Sequence, residues 1–495
     1  MIREITEKGG LHLKDYAEMA YLSTAVHDLR MQARLLLPKL KQHRVLMVNS
    51  TAQGGGVAEM MPRLLEILKD LGIKAKWLVM GSDDPAFFAM TKRIHNMIHD
   101  FGRPGFSAEE KKDYEAVSQK AAAEMIKCIH PEDILVVHDP QPLGAGAEVK
   151  RRTGIRAIWR CHIGLGRRSP VADAAWDFLK DHARVYDHSV FSAAEYIPSY
   201  LAGRASVIHP AIDPLSHKNR DLSTHKLTGI LCNAGLMKSY HPVLTPDWKH
   251  QVLRLHPDGR FLPANEAAGV GLMFRPIITQ VSRWDELKGW MPLLEGFLRL
   301  KDGLRRKNNV SERHRNRVDT ARLVLAGPDP SAIQDDPEGR KVLDSLCEAY
   351  RRLTPAQQES VVLLSLPMAS RKQNHLMVNV IQRCSTVVVQ NSLQEGFGLT
   401  ATEAMWKRIP VLGTSACGLR LQIRDGIEGR LTTNPQDPVE IAENLDELLA
   451  DPVQRDLYGR NAQRRVYQRF LLFTQVLSWL RLLADAADKP RSGGG

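Results

Sequence analysis

Eleven apolar runs of strand length recur along the chain, separated by stretches of helical period, and this alternation restricts the fold more than any other feature. In the first half the runs are HRVLMVNS (43–50), KAKWLVM (74–80), DILVVHD (133–139), IRAIWRCHI (155–163), RVYDHSVFS (184–192) and ASVIH (205–209). In the second they are RPIITQVSR (275–283), ARLVLAG (321–327), SVVLLSL (360–366), STVVVQN (385–391) and IPVLGTS (409–415). Several are apolar at nearly every position, the pattern of parallel strands covered on both faces. Helical stretches such as VAEMMPRLLEILKDL (57–71) and PVEIAENLDELLAD (438–451) lie between them. Pro62 falls early in the first of these, which is expected to open irregularly. The class is therefore α/β, with two doubly wound, Rossmann-like halves.

A chain of 495 residues is long for one core, so two domains are expected. Residues 1–213 form the first. Residues 214–272, polar and rich in His and Pro, break the rhythm and read as an inter-domain linker with an insertion. Residues 273–465 form the second, an apolar helix over about 466–488 is expected to pack back on the first, and 489–495 read as a disordered tail. In open α/β sheets ligands gather beyond the carboxyl ends of the strands. Two such sheets facing each other make the cleft between them the expected site.

The chain carries 68 Lys and Arg against 56 Asp and Glu, a formal charge of +12 that favours anionic partners. The basic clusters Arg305–Lys307 and Arg313–Arg317 lack interleaved aromatics and read as solvated surface, which disfavours nucleic acid as a partner. Six scattered cysteines form no CxxC pair and have no His at zinc spacing, so neither a disulfide frame nor a metal site is expected. The N-terminus has no secretory h-region, and no apolar stretch approaches the roughly 20 residues of a membrane span. A cytoplasmic location is expected, and a homodimer is left open.

The strand ends carry the chemistry. The first ends in Asn49-Ser50 and then Gly54-Gly55-Gly56 at a strand-to-helix turn, where backbone approaches closely and a helix N-terminus favours an anion. Later ends place His138, Asp139 and Gln141, then Arg160 and His162, at a rim where polar groups meet a hydroxylated ligand. The plainer reading is a helix cap at Asp139 and a satisfied His162. In the second half Arg283 leaves a strand end and Lys288 follows five positions on, two cations suited to a diphosphate or to ordinary surface. The run STVVVQNS leads into Glu395-Gly396-Phe397-Gly398-Leu399-Thr400 and, as a helix begins, Glu403. Interaction with the helix dipole accounts for Glu403 alone. It leaves Glu395 and both glycines unexplained.

This constellation resembles the retaining GT-B glycosyltransferases of family 4, whose signature is two glutamates separated by seven residues, here EGFGLTATE. The likeness is greatest to the trehalose glycosyltransferring synthase branch, through VNSTAQGGGVAEMMPRLLEILKDLGIKAKWLV, FFAMTKRIHN, HDPQP, WRCHI, IDPLSHKNR, QVSRWD and TEAMWKRIPVLG. It spans most of the chain except about 220–270 and 301–320. The resemblance implies that Glu395 binds hydroxyls of the donor sugar, helped by backbone N–H groups from Gly396 to Leu399 and by Thr400. It implies that Glu403 holds the nucleotide ribose, Arg283 and Lys288 the diphosphate, and Leu366 and Pro367 the base pocket. His162 would contact the 6-hydroxyl of the reacting sugar, Gly55 and Gly56 would cradle phosphate, and Asp139, Gln141 and Arg160 would face the acceptor. Gly164 departs from the branch, which carries an acidic residue there, and this leaves the acceptor open.

The implied reaction is retaining transfer of a hexose, with glucose first in line, from a nucleoside diphosphate sugar to a sugar or small-molecule acceptor, without metal or other cofactor. Trehalose is the product when glucose accepts. Two rivals stand beside it: a trehalose phosphorylase using phosphate, and a non-catalytic nucleotide- or RNA-binding protein on the same scaffold.

Overall fold

The computed structural model describes residues 2–6, 10–52, 55–82, 84–238, 247–265, 269–306, 310–332 and 337–489. The chain divides into two compact units, Met1–Ala211 with Phe470–Gly495, and Ile212–Arg469.

Among the described residues the first unit is built on seven strands: β1 (Ile2–Ile5), β2 (Arg44–Asn49), β3 (Lys74–Met80), β4 (Ile134–His138), β5 (Arg156–Cys161), β6 (His188–Phe191) and β7 (Ala205–Val207). Their spatial order is β1-β3-β2-β4-β5-β6-β7. All neighbours are parallel except β1, which runs antiparallel on the edge of β3. β4 is buried at every residue, as its unbroken apolar run predicts. Gly55 and Gly56 are the first residues of the helix Gly55–Asp70, which runs without interruption through Pro62 rather than opening irregularly; Gly54 lies outside the described residues.

Among the described residues the second unit has eight strands, β8 (Leu253–Leu255), β9 (Phe261–Pro263), β10 (Ile277–Val281), β11 (Arg322–Pro328), β12 (Val361–Leu366), β13 (Val387–Val389), β14 (Val411–Thr414) and β15 (Gly429–Thr432). They are ordered β15-β14-β13-β10-β11-β12-β8-β9, with only β8 and β9 antiparallel to their neighbours. Alternate residues of β10 and β11 feed separate cores. Ile278, Leu323 and Leu325 join one, while Ile277, Val324 and Ala326 join the other. That is the packing of a sheet covered on both faces.

Residues 214–272 are not a linker. The segment supplies the helix Thr224–Asn233 and the edge strands β8 and β9, and Ile230, Leu231, Val252 and Leu272 belong to a core of the second unit. Its start is pinned by Asn379, which donates to the carbonyls of His217 and Arg220 at 3.0 Å each. Nor is 466–488 one helix. The helix Pro452–Arg469 belongs to the second unit, and Leu472–Asp488 belongs to the first, where it packs on the helix Ser23–Leu40. Among the described residues no helix is long and apolar enough to cross a membrane.

Candidate active site

In the second unit the loop after β10 is stitched to the loop after β13. Asp285 accepts the N–H of Leu287 at 2.9 Å and opens a short 3-10 turn, Glu286–Lys288. Gly289 then adopts φ 60°, and a Cβ there would lie 2.2 Å from the carbonyl oxygen of Asn391. Only glycine permits that approach. Leu393 donates to Leu287 O at 2.8 Å, Asn391 Nδ2 to Gly289 O at 3.0 Å and Gln280 Nε2 to Lys288 O at 2.9 Å. The result is a part-buried ion pair between Lys288 Nζ and Glu395 Oε2 at 2.7 Å. The same carboxylate oxygen accepts Ser392 Oγ at 3.1 Å and Gln390 Nε2 at 3.4 Å.

The two glycines flanking Phe397 differ in kind. Gly396 faces open space, whereas Gly398 has φ 84° and caps the helix Leu399–Trp406 from the left-handed region. Phe397 is buried, Thr400 is half-buried and its carbonyl accepts Gln382 Nε2 at 3.3 Å. Glu403, fifth in that helix, is nearly buried, with Lys218 Nζ 3.9 Å from its Oε1. Beneath it Lys407 Nζ donates to the Glu403 carbonyl at 3.1 Å and to Gln382 Oε1 at 2.7 Å. Burial pushes the Lys407 ammonium down to about 7; Glu403 opposes this, and Arg383 and Lys218 add to it.

Arg283 does not converge with Lys288. Its guanidinium is exposed and sits 4.0 Å from Asp285, while Lys288 turns to Glu395. Leu366 is buried at the end of β12, where its carbonyl accepts the N–H of Asp329 at 2.9 Å, and Pro367 is half-exposed beside it.

In the first unit the ends of β4 and β5 form a second cluster. Asp139 takes φ 65° and caps no helix. Its Oδ1 accepts the backbone N–H of His162 at 2.8 Å, and its own N–H bonds Arg160 O at 2.8 Å. His162 Nε2 lies 3.0 Å from His138 Nδ1, with the two rings 14° from parallel. Burial drives His138 down to about 3 and His162 well below its ordinary range, with the Arg160 charge adding to both. Burial raises Asp139 to about 6, opposed by the His162 N–H and by Arg160. Gln141 Oε1 is buried and has no partner among the described residues. Arg160, expected at the acceptor rim, is instead 1% exposed, with Nη2 on Ser192 Oγ at 3.2 Å. Its charge adds to the lowering of both histidines. Gly164 fits under Tyr196, whose ring carbon would lie 2.2 Å from any Cβ there.

Sequence reasoning passed over Lys218, Lys407 and the pairing of His138 with His162. The strand end Val137-His138-Asp139 announced the last, but no spacing rule reveals that residues 24 apart share a hydrogen bond.

The chain matches two family models in order: "Trehalose synthase, N-terminal domain" over residues 47–198 and "Glycosyl transferases group 1" over 275–465. It is 31% identical to the trehalose synthase of Thermococcus litoralis over 487 residues, 97% of this chain and 99% of that one. It is 24% identical to the trehalose phosphorylase of Pleurotus pulmonarius over 89% of this chain but only 57% of the fungal protein. A solved α,α-trehalose-phosphate synthase (UDP-forming) from Burkholderia vietnamiensis superposes with a TM-score of 0.64 at 15% identity, covering 92% and 98% of the two chains. That likeness shows the fold, GT-B. With that trehalose synthase matched almost end to end and both family models matched in order, the chain belongs to the trehalose synthase family of group 1 glycosyltransferases and is a hexosyltransferase-type enzyme.

Proposed function

We propose that this enzyme transfers glucose, with retention and without a metal, from a nucleoside diphosphate sugar to a sugar acceptor, yielding trehalose when the acceptor is glucose. The observation that carries the reading is the Lys288–Glu395 pair at 2.7 Å beside Gly396 and the helix that follows Gly398. In this reading Lys288 is the cation for a departing diphosphate and Glu395 the carboxylate for sugar hydroxyls, which their pairing at the carboxyl end of a parallel sheet supports. In this reading Arg283 swings from solvent to join Lys288 on the diphosphate. The charges offset the negative charge that grows on the leaving group as the sugar becomes oxocarbenium-like. A leaving phosphate oxygen accepts the proton of the attacking hydroxyl on the same face, so no carboxylate pair of the glycosidase kind is required.

His162 meets the transferred sugar, Gly55 and Gly56 meet phosphate, and Asp139 and Gln141 lie towards the acceptor. The unpartnered Gln141 Oε1 supports that assignment. Glu403, with Lys218 beside it, takes the ribose.

The test is a panel of ADP-, UDP- and GDP-glucose with glucose and other acceptors, read by released nucleoside diphosphate and product mass, with and without EDTA. Turnover that survives EDTA is expected. No product from any donor would overturn the transferase reading, and activity lost in EDTA and restored by magnesium would overturn its metal-free form. The similarity to a trehalose phosphorylase supports a second reading, in which inorganic phosphate occupies the diphosphate position. Glu403 separates the two, because a phosphorylase has no ribose to hold.

A further inference from the structure

The proposed function leaves one buried side chain of the β4 end without a task. His138 is 2% exposed, and its Nδ1 lies 3.0 Å from His162 Nε2. One of these nitrogens must carry the shared proton. If His162 donated, neutral His138 would hold its proton on Nε2, a buried atom with no partner among the described residues. A buried N–H without an acceptor is the rarer and costlier orphan. If His138 donates, its Nε2 is left with only a lone pair, which is the milder defect. The adjacent Arg160 charge disfavours a proton shared as an imidazolium on either ring. His162 is held at its other end too, by Asp139 on its backbone N–H at 2.8 Å.

We propose that His138 is a positioning residue that donates from Nδ1 to His162 Nε2 and so fixes His162 as the tautomer protonated on Nδ1, the nitrogen that then donates to a hydroxyl of the transferred sugar. The inference rests on the reading of His162 as a sugar contact. Its consequence is that His162 acts as a hydrogen-bond donor, and that the choice is made by a residue that does not touch the ligand.

Nitrogen-15 NMR of histidine-labelled protein, with the His162 resonance assigned as the one lost in His162→Asn, is expected to show Nδ1 protonated and Nε2 bare. The opposite tautomer would overturn the proposal. Kinetics with the nucleotide-glucose donors and glucose compare His138→Leu, which has no donor, with His138→Asn, whose amide reaches the Nδ1 position. Leu is expected to lower kcat/KM for the donor by about ten-fold, the effect of losing one buried hydrogen bond, and Asn to recover most of that loss. Leu matching the unsubstituted enzyme, or Asn no better than Leu, rejects the proposal. Should the Leu protein not fold, Asn is compared with His138→Gln, whose amide falls at the Nε2 position, and equal rates reject it. If His162→Asn leaves turnover unchanged, the sugar-contact reading fails on its own, and the tautomer measurement still decides the role of His138.

Discussion

The residues that gather at the two sheet ends were legible in the sequence as types, and the structure changes what several of them do. Lys288 and Glu395 are 107 positions apart, yet they form one part-buried ion pair in which each charge offsets the other. Glu403 is set deeper, 7% exposed, over Lys407. Glu403→Ala is expected to raise KM for the nucleotide sugar by about ten- to hundred-fold, as loss of a hydrogen bond made by a charged group does. A steady-state titration of donor checks this, and an unchanged KM would favour phosphate as co-substrate. His138 also makes a stability prediction. Its imidazole is depressed to about 3 against 6.5 when unfolded, so the folded state binds fewer protons. The stability it contributes is complete above pH 6.5 and drains away as pH falls towards 3, by up to about 1.4 kcal/mol per pH unit. Asp139, raised to about 6, works in the opposite sense between 3.8 and 6. Denaturant melts at pH 7 and 5 should therefore show a smaller loss of stability for His138→Leu than for the unsubstituted protein.

At the scale of elements, each of the eleven apolar runs holds a strand, and most of those strands are buried at nearly every residue, β7 being half-buried throughout. The four strands that the pattern did not disclose are β1, β8, β9 and β15. All four are edge strands or hairpin partners of three or four residues, and the edge strand β15 reads GRLT with only its ends buried. Such strands owe their state to a neighbour's unpaired backbone, not to their own side chains. The basic cluster 313–317 was misjudged in part for the same reason. Arg317 donates to Leu449 O and to Ala450 O and so satisfies the end of the helix Pro438–Ala450 instead of facing only solvent. Gly164 is the sharpest case. Its missing side chain reads in sequence as a lost acidic group, yet Tyr196 occupies that space. Gly164→Asp is thus expected to destabilise the fold by about 1–3 kcal/mol through overpacking. A drop in melting temperature would be the sign, and an unchanged melt would show that Tyr196 can move aside.

For the whole molecule, the order of eleven strands followed from period and run length, and the family signature marked the carboxyl ends of strands. What was misread is the course of the chain between units. The segment after 214 looked like a linker because it is polar, but its apolar residues, Ile230, Leu231, Val252 and Leu272, are spaced into a core that only the second sheet completes. The last helix, Leu472–Asp488, belongs to the first unit and buries Val476, Trp479, Leu480 and Leu483 there. Ending the chain at Arg469 would remove roughly 6–12 kcal/mol of such burial, comparable with the whole stability of a domain. Loss of the monodisperse peak in size-exclusion chromatography is expected, and a well-folded truncated protein would refute it. The sequence by itself determined the α/β class, the doubly wound layering and the residue types at the strand ends, since these depend on local period and on what each position buries. Only the tertiary structure decided that Lys288 pairs with Glu395, that His138 meets His162, that Arg160 is buried, and which sheet claims residues 214–272. Those outcomes depend on contacts between segments far apart in the chain, where spacing along the backbone carries no information about distance in space.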